Sequence, residues 1–458
     1  MKILFILYDN DSHISFFPLG AAYLASVCRK AGHEVSIYQQ DTHHWSDEHL
    51  TKHLEENKYD VVGVGMCAGY YQYKRLLAIS EAINNSKKRP LFVIGGAMIT
   101  PEPTYFLNKT NADFAVLGEG ELILCELLDR LASKKNFSDI KGIAFYSKGK
   151  VVINERANPP CLDDLPFPAW DLFEMEHYVL NTYNFGKRTM VLLSGRGCTG
   201  ICTFCYRLEK EMRLRNVESV VEEATRLKRD YDIDLLVFND ELVTASPERA
   251  IELADAFIKS GLGIKWGCAG RLDVITEEAL TAMKTAGCVF INYGMESMDD
   301  YVLSKMNKEI TSEVITRGVE MTMKADIMVG FNFIFGNLGD TPQTLQKSVD
   351  FLLKYDRHAT IRTIRPVTPY PGSPLYTLAI KKGLIRDCGD FYENKHTNSD
   401  LLTVNFTDMS DDEFYHALHN ANKQLLDNYN KWVIKNTYKT LDNLYLQRDS
   451  SFRGFRKV

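Results

Sequence analysis

The sequence predicts an α/β chain: an N-terminal Rossmann-like doubly wound sheet, then a partial (β/α)6 barrel, then a helical C-terminal extension. Three observations predict it. From residue 1 to about 135, short apolar runs alternate with amphipathic stretches, as parallel strands covered by helices on both faces do. A second strand–helix alternation runs from Met190 to Arg365. Polar residues collect where the strands of that second series end, which is where barrels carry function. With 458 residues the chain has room for about three domains at roughly 150 residues each.

In the first array the predicted strands are Ile3–Leu7, Glu34–Tyr38, Val61–Gly65, Leu91–Ile94 and Phe114–Leu117. Leu19, Ala22, Tyr23 and Val27 recur at helical spacing between the first two, and Gly32 supplies the stop. Further helices carry Leu76, Ile79 and Ile83, then Leu124, Leu127, Leu128 and Leu131. A ligand of such a sheet is expected off the carboxyl ends of its strands. Those ends hold Tyr8-Asp9-Asn10-Asp11, the loop Gly65-Met66-Cys67-Ala68-Gly69, the pair Gly95-Gly96, and Gly118-Glu119-Gly120-Glu121. Without a side chain at Gly95 and Gly96, backbone can approach a large flat ligand. No GxGxxG follows the first strand, which disfavours a dinucleotide.

A hairpin is predicted where Gly142–Tyr146 and Val151–Ile153 flank Lys148-Gly149-Lys150, and a linker marked by Pro159, Pro160, Pro166 and Pro168 follows it. The barrel series starts at strand Met190–Leu193. It continues with a helix carrying Val217, Val220, Val221, Ala224 and Leu227, strand Leu235–Phe238 and a helix over Ala250–Ile258. Strand Ile264–Cys268, a helix over Glu277–Ala286, and strands Val289–Met295 and Met328–Phe335 come next. A helix over Pro342–Lys354 and strand Thr360–Arg365 close the series. Beyond residue 400, Tyr415, Leu418, Leu425 and Leu426 are the apolar repeats of a helical end, and the basic stretch Arg448 to Lys457 is expected to be solvated. The expected division is 1–135, a linker over 136–185, the barrel over 186–400 and the extension over 401–458.

Composition narrows the function classes. The chain is 45% hydrophobic and has no run of 18 apolar residues, so no membrane span is expected. The apolar stretch at the start is too short for a signal peptide and is read as the first strand. A net charge of -6 argues against a nucleic-acid partner. A long chain without a secretory signal makes a disulfide framework unexpected, so clustered cysteines are read as metal ligands or reactive thiols. Of ten cysteines, only Cys198, Cys202 and Cys205 cluster, with CxxxCxxC spacing in a glycine-studded loop after a strand. Soft thiolates at this density suit iron–sulfur or zinc. A structural zinc site needs four ligands, and the fourth is missing locally. Three thiolates on a four-iron cube leave one iron open for chemistry, while a zinc loop borrowing a distant cysteine is the alternative.

Taken together these segments resemble a known family. PLGAAYLASVCRKAGHEV, DVVGVG, VIGGAMITPEP and ADFAVLGEGE, spanning residues 18–121, resemble the cobalamin-binding domain fused to many radical SAM enzymes. MVLLSGRGCTGICTFCYR (190–207), GMESMDDYVLSKMNK (294–308) and PYPGSPLY (369–376) resemble the radical SAM domain itself. The resemblance implies a [4Fe-4S] cluster on Cys198, Cys202 and Cys205 whose open iron chelates S-adenosylmethionine. It implies that Phe204 lies beside the adenine, that Phe335 and Gly336 border it, and that Glu296, Lys308 and Arg271 contact the same ligand. It also implies that Gly65, Cys67, Gly95, Gly96 and Glu119 border a corrinoid. Cobalamin proteins that ligate cobalt through histidine carry an Asp-x-His-x-x-Gly motif in the loop after the first strand, and that motif is incomplete here. Asp11-Ser12-His13 has Phe16 in place of the glycine, and Asp41-Thr42-His43 has Ser46, so these histidines are read as solvated loop residues.

The function implied is reductive cleavage of S-adenosylmethionine, with cobalamin-dependent methyl transfer to an unactivated carbon or phosphinate. Radical cyclisation, oxidation or rearrangement without methyl transfer is the alternative. Methylthiolation would require a second cysteine triad, and Cys28, Cys67 and Cys125 are scattered. A non-enzymatic iron–sulfur or cobalamin carrier leaves the polar strand ends unexplained. The implied partners are a small-molecule substrate and a flavodoxin or ferredoxin electron donor, and the implied setting is anaerobic and cytoplasmic.

Overall fold

The computed structural model describes residues 1–11, 16–179, 186–358 and 360–451. Five strands, β1 (Lys2–Leu7), β2 (Glu34–Gln39), β3 (Val61–Gly65), β4 (Leu91–Gly95) and β5 (Phe114–Val116), form a parallel sheet in the order β2-β1-β3-β4-β5. The predicted hairpin, β6 (Ile143–Ser147) and β7 (Lys150–Ile153), adds antiparallel to β5 and completes seven strands. Strand direction of connection reverses between β1 and β3, and in open α/β sheets ligands bind in the crevice at that reversal. Tyr8 and Asp9 after β1, and Met66 and Cys67 after β3, stand at its mouth.

The second sheet takes its strands from the barrel series. In chain order these are β8 (Thr189–Leu192), then, after the two-residue strands β9 (Gly195–Arg196) and β10 (Arg213–Leu214), β11 (Leu235–Phe238), β12 (Lys265–Gly270), β13 (Cys288–Glu296), β14 (Met328–Phe335) and β15 (Arg365–Pro366). All six ladder strands are parallel, in the order β15-β14-β13-β12-β11-β8, with β8 and β15 left as open edges. Helices such as Pro247–Ser260 and Pro342–Tyr355 cover the outside, each started by a hydroxyl cap, Ser246 and Thr341, and by a proline in the first turn.

Two elements differ from expectation. The last strand was expected over Thr360–Arg365, but only Arg365–Pro366 pairs, with Ile334 and Phe335. The reason is Asn422. Its side chain accepts from Ile364 N at 2.8 Å and donates to Ile364 O at 3.0 Å, satisfying the peptide groups that a ladder would have used. The C-terminal helix runs Asp411–Tyr445 and begins with a capping box, Ser410 with Glu413. Its buried face is Phe414, Leu418, Ala421 and Leu425, whereas Tyr415 lies on the neighbouring face, its hydroxyl oxygen accepting from Leu402 N at 3.0 Å.

The two sheets share their packing. Leu7, Phe17, Leu19 and Tyr23 of the first unit pack in one core with Trp170, Phe173 and Tyr178 of the linker and Met190, Leu192 and Val217 of the second. After the second sheet the chain returns to the first, where Leu375, Tyr376, Phe391, Tyr392, Val404 and Phe406 join a core with Leu4, Val62 and Ile94.

Candidate functional site

The cysteine segment is the loop of a two-stranded ribbon, with Arg196 paired opposite Arg213 and Gly195 opposite Leu214. Its conformation is fixed from several sides. Gly197 has φ +93°, and a Cβ there would lie 2.3 Å from Glu211 O, so only glycine fits this turn. Gly197 N donates to Glu241 Oε2 at 3.0 Å, Thr203 N donates to Met306 O at 2.9 Å, and Leu375 N donates to Thr203 O at 2.8 Å. The loop is therefore held by the end of β11, by the segment after β13 and by PYPGSPLY.

Inside the loop, Gly200 N donates to Cys198 Sγ at 3.4 Å. A Cβ on Gly200 would stand 2.9 Å from Arg271 Nη1, 3.5 Å from Cys198 Sγ and 3.7 Å from Cys202 Sγ. Two of the three predicted thiols and Arg271 thus meet around a missing side chain. Burial pushes the Cys202 thiol up, while Lys308 and Arg271 pull it back toward the thiolate. Arg271 is held by a bidentate pair with Asp273, at 3.0 and 2.8 Å, and its own N–H donates to Thr244 Oγ1 at 3.1 Å. Among the described residues no three His, Cys, Asp or Glu side chains converge on one metal position. A single zinc ion, with bonds of about 2.3 Å to sulfur, requires such convergence. Cys268 and Cys288, the distant candidates for a fourth zinc ligand, are buried in the barrel core, where a hydrogen bond between them and burial raise the Cys268 thiol.

Glu296 and Lys308 meet at the end of β13, Lys308 Nζ donating to Glu296 Oε1 at 3.2 Å with both side chains almost out of solvent. A register shift between Gly294 and Glu296 breaks the ladder to β14, and Glu296 has φ +68°. Strain of this kind at a strand end marks functional sites. Phe204 is partly buried against the returning segment and the first sheet's core. Gly336, at φ +99°, donates its N–H to Asp340 Oδ2 at 2.9 Å. Phe414 covers it: a Cβ on Gly336 would lie 2.8 Å from the Phe414 ring, which also stacks on Phe335 at 4.8 Å.

On the first sheet, Gly65 is open, with nothing within 4 Å of a Cβ placed there, and Cys67 beside it is exposed. A Cβ on Gly95 would meet only Val116, at 3.3 Å from its carbonyl oxygen. Gly96 has a different reason to be glycine: φ is +97° and a Cβ would lie 2.5 Å from Met66 O, so the β3 and β4 loops cross there. Glu119 is engaged across the chain. Its two carboxylate oxygens are taken by Arg196, at 2.7 Å, and by Arg213. His43 pairs with Glu174 at 2.8 Å on the surface, while His13 lies outside the described residues.

One of the polar strand ends organises the loop from below. Asp240 is buried and accepts from Ser194 N at 2.9 Å and from Ser194 Oγ at 2.7 Å, tying β11 to the start of the cysteine loop, and burial raises its carboxyl to about 7. Arg196 and Arg213 left no local signal, because their partners lie in another domain.

Comparison with known proteins decides the family. The profile described as "B12 binding domain" matches residues 11–128, and the profile described as "Radical SAM superfamily" matches residues 192–352. The "Uncharacterized methyltransferase PH0819" of Pyrococcus horikoshii is 30% identical over 398 residues, covering 84% of this chain and 84% of that protein. The chain belongs to the radical SAM superfamily, in its cobalamin-binding branch. The "Anaerobic magnesium-protoporphyrin IX monomethyl ester cyclase" of Rubrivivax gelatinosus is 27% identical over 391 residues, 82% of this chain and 69% of that one. In fold, the radical SAM methyltransferase TsrM from Kitasatospora setae, solved with cobalamin and a [4Fe-4S] cluster, superposes with a TM-score of 0.75 at 17% identity, over 93% of this chain and 88% of that one. This radical SAM enzyme therefore uses a [4Fe-4S] cluster, S-adenosylmethionine and cobalamin. The superfamily match takes in Cys198, Cys202, Cys205, Arg271, Glu296, Lys308 and Gly336, and the B12-binding match takes in Gly65, Cys67, Gly95 and Gly96. Among the described residues no helix of the enzyme is long and apolar enough to cross a membrane.

Proposed function

We propose that this enzyme transfers a methyl group to an unactivated carbon or phosphinate of a small molecule, by cobalamin-dependent radical chemistry. In this reading Cys198, Cys202 and Cys205 hold the cluster, and Arg271, Glu296, Lys308, Phe204 and Gly336 surround S-adenosylmethionine. Gly65, Cys67, Gly95 and Gly96 face the corrinoid. When bound, these groups supply the electron that cleaves S-adenosylmethionine and a cobalt centre that carries a methyl group.

The chain's own residues do the rest. Gly200 keeps the space between the thiols clear. Lys308 and Arg271 place positive charge beside Cys202, which favours its thiolate against the effect of burial. Glu296 presents a carboxylate to an amino group or ribose hydroxyl, and the buried pair with Lys308 fixes its direction. The open backbone at Gly65 lets a flat macrocycle approach the strand ends.

One observation carries the reading: two of the three loop cysteines, Cys198 and Cys202, meet Arg271 at the strand ends of an open parallel sheet, where Glu296 and Lys308 form a nearly buried pair. Methyl transfer rather than cyclisation is supported by the relative from Pyrococcus horikoshii, similar over 84% of both chains and described as a methyltransferase. The cyclase relative keeps a second outcome, radical cyclisation without methyl transfer, as the alternative. The electron donor in this reading is a flavodoxin or ferredoxin, and the setting is an anaerobic cytoplasm.

The test is anaerobic reconstitution with iron, sulfide and cobalamin, followed by turnover with S-adenosylmethionine labelled in its methyl group. Release of both deoxyadenosine and S-adenosylhomocysteine, with label in a product, is expected. Deoxyadenosine with unlabelled product selects the alternative, and four-coordinate zinc in place of iron removes both.

A further inference from the structure

The base of the cysteine loop contains an electrostatic contradiction that the first domain resolves. In the β9–β10 ladder Arg196 stands directly opposite Arg213. Like charges in opposed positions of an antiparallel pair repel, and a ribbon of two residues per strand has little ladder to resist them. The counter-charges come from more than 70 residues earlier in the chain. Glu119 receives Arg196 Nη1 on one oxygen at 2.7 Å and Arg213 on the other, so a single carboxylate bridges both strands. Glu121 Oε1 receives Arg196 Nη2 at 2.7 Å.

The cluster is built rather than incidental. The Glu119 and Glu121 side chains are 6% and 5% exposed, and those of Arg196 and Arg213 are 14% and 17% exposed. Both glutamates sit at the N-terminus of the helix Gly120–Ala132, where free N–H groups favour carboxylates. The Tyr23 ring lies 5.3 Å from the Arg196 guanidinium, and Arg213 Nη1 also donates to Pro160 O at 2.7 Å. A second bridge lies alongside, where Arg156 of the linker pairs with Glu209 and donates to Leu208 O at 3.2 Å.

We propose that Glu119 and Glu121 are positioning residues that close the cysteine loop from across the domain boundary, so that it takes its working shape only on the docked first domain. This rests on the reading above, in which the loop carries the cluster. It assigns Glu119 away from the corrinoid and to the arginine pair. Removing Glu119 strips Arg213 of its carboxylate and leaves Arg196 with Glu121 alone across a nearly dry ribbon, and the loop opens at its base while the sheets on either side stay folded.

Hydrogen exchange of the full-length protein, compared with and without reconstituted iron and sulfide, tests this. In Glu119→Gln the backbone amides of residues 197–214 are expected to exchange at least tenfold faster than in the parent protein, with β3 and β11 unchanged. Glu119→Asp, which keeps the charge, should return the loop to within about threefold of the parent. Parent-like exchange of 197–214 in Glu119→Gln overturns the proposal, as does faster exchange spread evenly over both sheets. Should Glu119→Gln fail to fold, Glu121→Gln removes one bond and is read by the same criteria. A parent protein that takes up no iron–sulfur cluster defeats the functional reading instead, and leaves the exchange comparison of the metal-free chains standing.

Discussion

Glu296 has φ +68° in a strand, a conformation that costs a residue with a Cβ roughly 1–2 kcal/mol. The bulge that imposes it also delivers the carboxylate to Lys308, and Gly294 leaves the room: a Cβ there would be 2.3 Å from Glu296 Oε1 and 3.1 Å from Lys308 Nζ. The strain is thus coupled to the placement of a charged pair. Hydrogen bonds to charged groups contribute about 1.5–3 kcal/mol. Lys308→Ala should therefore raise the KM for S-adenosylmethionine about 10- to 100-fold, measured as deoxyadenosine formed against substrate concentration. An unchanged KM would remove the pair from the binding site. Cys202→Ala tests the cluster more directly. The side chain is small and half-buried in a loop anchored elsewhere, so the variant should fold normally and form no deoxyadenosine. Retained turnover in it counts against the three-thiol site.

At the scale of elements, the C-terminal helix completes the second sheet. Phe414 stacks on Phe335 and covers Gly336, while Asn422 stands in for a neighbouring strand at Ile364. Phe414 is fully buried, and truncating a buried phenylalanine costs about 3–5 kcal/mol. Phe414→Ala should lower the unfolding free energy of the metal-free protein accordingly and uncover Phe335 and Gly336. A loss of unfolding free energy below about 1 kcal/mol would mean that the helix end is not integral to the barrel. The same helix shows what was legible in the sequence. The parallel strands were, because runs such as Val61–Gly65 and Met328–Phe335 are mostly buried and bounded by helices. The helix itself was, and Leu418 and Leu425 do lie on its buried face, but at the first turn the buried aromatic is Phe414 and not the expected Tyr415, since adjacent aromatics there satisfy either register. Strand Thr360–Arg365 was over-read because its β-branched residues suit a strand, while its hydrogen-bond partner is a side chain 58 residues further on.

For the molecule as a whole, the same limit governs the site. Cysteines with a tell-tale spacing, and acids and bases after each strand, are local signals. The Arg196–Glu119 and Ser194–Asp240 contacts are not, because they exist only once two sheets or two strands are assembled. The chain assembles them by folding back on itself: after the second sheet, residues 367–406 return to the core of the first. His396 lies in that return. It is 1% exposed, stacked on Phe391 at 5.1 Å, with Nδ1 3.2 Å from Thr403 Oγ1 and Nε2 3.4 Å from the Tyr370 hydroxyl. Burial lowers its pKa from 6.5 to about 4, so the fold holds it neutral where the unfolded chain would already be protonated. The sign follows from linkage: this stability is complete above pH 6.5 and is lost as pH falls toward 4, in total about 3 kcal/mol. By pH 5 the loss should be about 2 kcal/mol, read as a falling urea midpoint of the metal-free protein between pH 7 and pH 5. His396→Gln should flatten that fall by the same amount, whatever it does to the midpoint at pH 7. If the variant loses stability over this range as steeply as the parent, the acid sensitivity of the packed return belongs to another group.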